Sequence, residues 1–152
     1  MSLPITATTL IQPKPIPKVS SLVFFDLETT GLSNPKITEI SLCAVERDHF
    51  LSSKEPIPRV NNRLNLCIYP TRLIDLKAAE MTQLDNYVLQ NQSPFNIDVF
   101  NLISSFLNRL PTPVCLIAHN GNRFDFPILK AEIEKLGKVS FTLLIHKLHI
   151  WI

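Results

Sequence analysis

The stretch Leu-Val-Phe-Phe-Asp-Leu-Glu-Thr-Thr-Gly-Leu, at residues 22–32, decides the fold of this chain. Its first four residues are apolar without interruption, which is typical of a strand buried on both faces. Asp26 and Glu28 follow, and Gly31 allows the chain to turn. Because side chains two residues apart in a strand point to one face, both carboxylates are predicted to project together from the strand end.

The rest of the sequence predicts a mixed sheet covered by helices. Strands are predicted at residues 36–45, 63–69 and 114–118, and helices at residues 76–84, 96–110 and 126–136. The helix at 96–110 has an apolar stripe that consists of Ile97, Phe100, Ile103, Phe106 or Leu107, and Leu110. Prolines between residues 48 and 62 predict a surface loop. Strands followed by helix, strand and helix indicate an α/β domain.

Length and composition favour one folded domain with short additions. The chain has 152 residues, of which 45% are hydrophobic and 18% are charged, and domains of ~100–150 residues are the commonest size. Residues 1–20 form a predicted Pro-rich extended leader, residues 21–138 the domain, and residues 139–152 an atypical apolar segment. We expect the fold to be C-terminally incomplete, because this segment has neither a turn nor a polar tail.

Charge and cysteine content bound the location and the partners. The net charge of +2 requires any phosphate-binding surface to be local. Three cysteines without ligand-like spacing predict a reduced, intracellular compartment, cytoplasmic or nuclear. No run approaches the ~18 apolar residues that a membrane span needs, so no membrane partner is expected.

Three carboxylates are the candidates for chemistry. Asp125 lies between the second buried strand and its helix, and strand ends in an α/β sheet converge on one crevice with Asp26 and Glu28. Such oxygen ligands suit Mg²⁺ or Mn²⁺. The plainer alternatives are a solvated strand end for Asp26 and Glu28, and a helix N-cap for Asp125.

Two stretches resemble a known family. Residues 22–32 resemble the first exonuclease motif of the DEDD superfamily of 3′→5′ exonucleases, and Ala-His-Asn-Gly-Asn-Arg-Phe-Asp-Phe-Pro at 118–127 resembles the second. The similarity is greatest to the three-prime repair exonucleases of animals, and it lies in the second motif, at residues 35–39 and in the Pro-bearing stretch around residues 55–59. The resemblance implies a ribonuclease H-like fold, two Mg²⁺ ions in the complete site with Mn²⁺ as an alternative, and removal of nucleotides from DNA 3′ ends.

Carried over by position, the resemblance assigns roles to individual residues. The catalytic metal ligands would be Asp26, Glu28 and Asp125. The substrate-binding residues would be Glu28 and Thr29 beside the terminal nucleotide, Leu32 and Met81 against its base, and Phe124 near the scissile phosphate. For Leu32, Met81 and Phe124 the alternative is core packing. The implied partners are single-stranded DNA or DNA 3′ ends and a second copy paired through an edge strand, here residues 63–69.

The sequence also departs from the family pattern. The third motif, a His followed by four residues and an Asp, supplies the general base and a fourth ligand, but no Asp or Glu follows Glu134. Gln83 stands where the family commonly has Gly. The alternative function is therefore a catalytically inactive module for nucleic-acid binding or dimerisation.

Overall fold

The computed structural model describes residues 18–137 and, for the backbone alone, residues 148–151. The predicted leader up to residue 17 and the predicted apolar segment up to residue 147 lie outside the described residues, so the domain boundaries stay predictions. The elements are β1 (Ser21–Thr29), β2 (Ile37–Glu46), α1 (Arg47–Ser52), β3 (Asn62–Cys67), α2 (Leu76–Thr82), α3 (Ile97–Asn108), β4 (Val114–Ile117), α4 (Asp125–Glu134) and β5 (Leu148–Trp151).

The strands form one mixed sheet in the order β3-β2-β1-β4-β5. The first three strands pair antiparallel, whereas β4 runs parallel to β1 and to β5. The predicted α/β class and mixed sheet are confirmed. The sequence predicts no element at β5, which pairs Val114 with Leu148 and Ile117 with Trp151.

The central strand β1 differs from its prediction in burial. Val23, Phe25 and Leu27 are buried, but the intervening Phe24 is 40% exposed. Only one face of β1 therefore belongs to the core, and the prediction of a strand buried on both faces is wrong. The ring of Phe24 lies 5.9 Å from that of Phe50 in α1, which covers the second face only locally.

The helices α3 and α4 cover the buried face of the sheet. The start of α3 is capped by Asn96, whose Oδ1 accepts hydrogen bonds from the N–H groups of Asp98 and Val99 at 3.0 and 3.1 Å. The predicted stripe of α3 is buried except for Ile97, which is exposed in the first turn. Phe126 of α4 packs against Phe25 of β1, with 5.8 Å between the ring centroids.

The predicted loop at residues 48–62 begins as helix α1. This short helix buries none of its residues and has no side-chain cap, so it leaves no apolar pattern in the sequence. Asp48 accepts contacts from Lys18 at 3.0 Å and from Arg47 at 3.1 Å. Within the described residues, no helix is both long enough and apolar enough to cross a membrane.

Candidate active site

Asp26 and Glu28 project from the end of β1 on the face opposite the core. Glu28 stands directly across from Glu39 of β2, and the register shifts immediately after this pair, which marks a β-bulge. The pKa of Glu28 is raised, chiefly by burial and further by the charges of Asp26, Glu39 and Asp125. The strand end therefore concentrates negative charge, as the two-residue spacing predicts.

Asp125 reaches the same region from the start of α4. Because β4 ends at Ile117, Leu27 lies beyond the parallel ladder, and its N–H donates to Asp125 Oδ1 at 3.1 Å. The cap position of α4 is Phe124, which makes no side-chain cap hydrogen bond, so Asp125 does not take the N-cap role considered as its alternative. Asp125 is only 3% exposed, and its pKa is raised, chiefly by burial with Asp26 contributing.

The three carboxylates suit a hard cation in charge and in donor type. In the described part of the chain none of them forms an ion pair. The mutual repulsion of the three carboxylates favours a bound cation. As the side chains stand, however, no group of three or more His, Cys, Asp or Glu residues among those described is arranged to hold a metal ion, so only charge and donor type support a bound cation.

A cleft of about 570 Å³ opens beside Glu28, between the turn after β1 and helix α2. It contains all five residues predicted to bind the substrate. Leu32 and Met81 are 86% and 76% exposed at the cleft, so core packing is the wrong alternative for these two. The residues that line the cleft are Leu27, Glu28, Thr29, Gly31, Leu32, Ser33, Asp75, Lys77, Ala78, Met81, Thr82 and Phe124.

The turn that follows β1 is held on two sides around Thr30, which is buried. The N–H of Thr30 donates to the carbonyl of Lys36 at 2.9 Å, and its hydroxyl accepts from the Lys36 N–H at 3.1 Å. The carbonyl of Thr30 accepts from the N–H of Asp75 at 2.9 Å. This turn is thereby joined to the start of α2, which places Leu32 and Met81 on the same cleft.

Two charged residues of the cleft, Asp75 and Lys77, were not predicted from the sequence. The one signal in the sequence was their position at the start of a predicted helix. It does not indicate the cleft, because these residues approach the turn after β1 only in the tertiary structure. Gln83 ends α2 with φ of 60° and ψ of 21°, the left-handed conformation that glycine adopts easily. The departure from the family pattern at this position thus leaves a glycine-like backbone.

Comparison with known proteins identifies the family. A family model described as Exonuclease matches residues 23–152. The chain is 45% identical over 135 residues to three-prime repair exonuclease 1 of Bos taurus, covering 80% of this chain and 43% of that protein. It is 40% identical over 131 residues to three prime repair exonuclease 2 of Mus musculus, covering 80% of this chain and 56% of that protein. The chain spans about half the length of these relatives.

Solved structures confirm the predicted ribonuclease H-like fold. Exonuclease I of E. coli in complex with a dT13 oligonucleotide superposes with a TM-score of 0.67 at 14% identity, covering 87% of this chain and 27% of that chain. The zinc-bound form of the same enzyme with single-stranded DNA gives a TM-score of 0.65 at 14% identity, covering 88% and 28%. The family match and the shared fold agree that this chain belongs to the exonuclease family, in which it is similar to the three-prime repair exonucleases.

Proposed function

We propose that the protein is a 3′→5′ DNA exonuclease that releases nucleotides from DNA 3′ ends. One observation carries the proposal: Glu28, Thr29, Leu32, Met81 and Phe124 line a single cleft that opens at the acidic strand end. The apolar side chains offer a surface for a base, and the acidic end lies where the sugar-phosphate of a terminal nucleotide would follow. Intracellular action, cytoplasmic or nuclear, is part of the same proposal.

Asp26, Glu28 and Asp125 would hold the divalent ions, Mg²⁺ or alternatively Mn²⁺, with two ions in the complete site. Bound there, such ions activate a water molecule and stabilise the leaving oxygen in phosphodiester hydrolysis. The protein orients one of these ligands itself, because the Leu27 N–H holds the Asp125 carboxylate at 3.1 Å. Leu32 and Met81 would contact the terminal base, with Phe124 on the side of the scissile phosphate.

Single-stranded DNA is the proposed substrate. It occupies the E. coli exonuclease I structures that share this fold, and the exposed apolar side chains of Leu32 and Met81 suit an unpaired base. Homodimerisation through the edge strand β3 is a further proposal, supported by the position of β3 at the end of the sheet order.

A second candidate is a module that binds nucleic acid without hydrolysing it. A specific observation favours it, because residues 135–152 contain no Asp or Glu and therefore no His-x₄-Asp unit. A general base contributes ~10²–10⁴-fold to a rate, so a protein that acts without one would turn over slowly. Both candidates use the same cleft, so they differ in turnover and not in where DNA binds.

Digestion of a 3′-labelled single-stranded oligonucleotide with Mg²⁺ separates the two candidates. An exonuclease releases labelled mononucleotides. Substitution of a residue that supports a metal ligand lowers activity by roughly 10–100-fold, and Glu28→Gln, which changes a proposed ligand itself, should lower the rate of release by more. The matched control is Glu80→Gln, an exposed carboxylate of α2 that does not line the cleft. A substrate with a blocked 3′ end tests the direction of attack.

Binding of the same oligonucleotide, measured by fluorescence anisotropy, completes the test. Binding that Leu32→Ser and Met81→Ser weaken, without any release of nucleotides, would establish the inactive module. If the protein neither binds the oligonucleotide nor releases nucleotides from it, both candidates are contradicted.

A further inference from the structure

A partly buried ion pair connects α4 to the chain immediately before β2. Glu132 of α4 is only 9% exposed, and its Oε1 accepts a hydrogen bond from the Lys36 ammonium at 3.2 Å. Glutamate is rarely buried to this extent without a specific partner. The two residues are 96 positions apart in the sequence, so the pair joins two distant segments.

Glu132 and Asp125 lie on the same face of α4, because seven residues make two helical turns. Leu129 lies between them and is fully buried, as is the adjacent Ile133. Asp125 accepts a hydrogen bond from Leu27 at the end of β1, and Glu132 accepts one from Lys36. One face of α4 is thus attached at two polar points to residues 27–36.

The segment between those two points carries the site. It contains Glu28, Thr29 and Leu32, which line the cleft. At the end of this segment the Lys36 carbonyl accepts from the Thr30 N–H at 2.9 Å, and the Lys36 N–H donates to the Thr30 hydroxyl at 3.1 Å. Lys36 therefore contacts the turn after the acidic strand end through its backbone and contacts α4 through its side chain.

We propose that Lys36 and Glu132 are a positioning pair, which sets the placement of Asp125 on α4 relative to Asp26 and Glu28. The inference rests on the proposed function, since it assumes that these three carboxylates bind the divalent ion. Neither Lys36 nor Glu132 lies among the ligands, so the pair acts through the two segments that it joins.

The same helix offers two internal comparisons. Lys135 also contacts Glu132, at 2.7 Å, but this contact stays within α4 and its immediate end. Lys130 and Glu134 form an exposed pair at 3.8 Å, one turn apart on α4. Neither of these contacts joins α4 to the turn, so their loss should leave the site unchanged.

Titration of the full chain with Mn²⁺, followed by calorimetry, tests the positioning role without relying on turnover. Glu132→Gln and Lys36→Met should each weaken Mn²⁺ binding by about tenfold, the scale for residues that orient metal ligands. Lys135→Met and the double variant Lys130→Met/Glu134→Gln should bind Mn²⁺ as the unchanged protein does. Lys36→Arg keeps the charge and should retain affinity within about twofold.

Melting temperatures of all variants separate positioning from general stabilisation. Ile103→Val removes one buried methyl group of α3 and should lower the melting temperature without changing Mn²⁺ affinity. Unchanged Mn²⁺ affinity in Glu132→Gln and Lys36→Met would overturn the positioning role. So would an affinity loss in Ile103→Val, or in Lys36→Arg as large as in Lys36→Met. If the unchanged protein binds no Mn²⁺, the proposed metal site fails, and the positioning role fails with it.

Discussion

Gly31 has φ of +135° in the turn after β1, a backbone conformation that residues with a Cβ rarely adopt. A methyl group at this position would also overlap the carboxylate of Asp75 at the start of α2. Two physical terms therefore oppose a larger residue, backbone strain and a side-chain collision. The collision can be relieved, because the Asp75 side chain is exposed and can rotate. The backbone strain cannot be relieved without moving the turn.

Gly31→Ala should lower the free energy of unfolding by about 1–3 kcal/mol, mainly through the strained backbone. Chemical denaturation of Gly31→Ala, Asp75→Ala and the double variant measures the two terms as a double-mutant cycle. We expect Asp75→Ala to recover only a minor part of the loss. Full recovery in the double variant would show that the collision dominates.

At the scale of single residues, spacing predicts what is local. The Asp-x-Glu pair in a strand and the Asp before a helix could be assigned because each depends on one element and its end. The contact of Glu132 with Lys36, and that of Asp75 with Gly31, could not be predicted. Both form between segments that lie far apart in the sequence, and a lysine or an aspartate at a helix start is usually solvated.

Among the elements, α2 ends in a backbone conformation that lowers the stability of the protein. Gln83 has a left-handed backbone, which costs ~1–2 kcal/mol for a residue with a Cβ. The side-chain amide of Gln83 donates to the Glu80 carbonyl at 2.7 Å, but this hydrogen bond is exposed to solvent and offsets little of that cost. This end of α2 adjoins Met81, so its conformation also bears on the cleft.

Gln83→Gly should therefore raise the free energy of unfolding by about 0.5–1 kcal/mol, since the relieved backbone strain exceeds the ~0.4–1 kcal/mol that glycine adds to the entropy of the unfolded chain. Thermal melts followed by circular dichroism measure the change. The control is Gln90→Gly, because Gln90 is exposed and is not among the positive-φ residues. A stabilisation in the control, or a loss at Gln83, would contradict this explanation.

Elements were predicted where apolar periodicity is strong and missed where it is absent. Helix α3 has a capping Asn96 and a buried stripe, and both are visible in the sequence. Helix α1 buries no residue, so nothing distinguishes its sequence from a loop. The four apolar residues at 22–25 indicate a strand that is buried on both faces. Phe24 is covered only by the ring of Phe50, which belongs to a separate element.

At the scale of the whole molecule, β3 forms one edge of the sheet. The Ile68 N–H donates to the Thr38 carbonyl of the neighbouring chain segment at 2.8 Å. Because N–H groups alternate in direction along an antiparallel strand, Leu64 and Leu66 share the inward direction of Ile68, and Asn65 directs its N–H outward. The outward groups are available to pair with the same edge of a second copy.

Asn65→Pro should convert the proposed dimer into a monomer, because proline removes an outward donor while the inward ladder to β2 remains, and edge strands tolerate such a proline. Sedimentation velocity over a range of protein concentrations measures the change. Asn65→Ala is the matched control, since both variants lose the 2.6 Å hydrogen bond from Asn65 to Glu39 but only the proline removes the N–H. A dimer that survives Asn65→Pro would place the interface elsewhere, and a dimer lost in both variants would assign the effect to the Asn65 side chain.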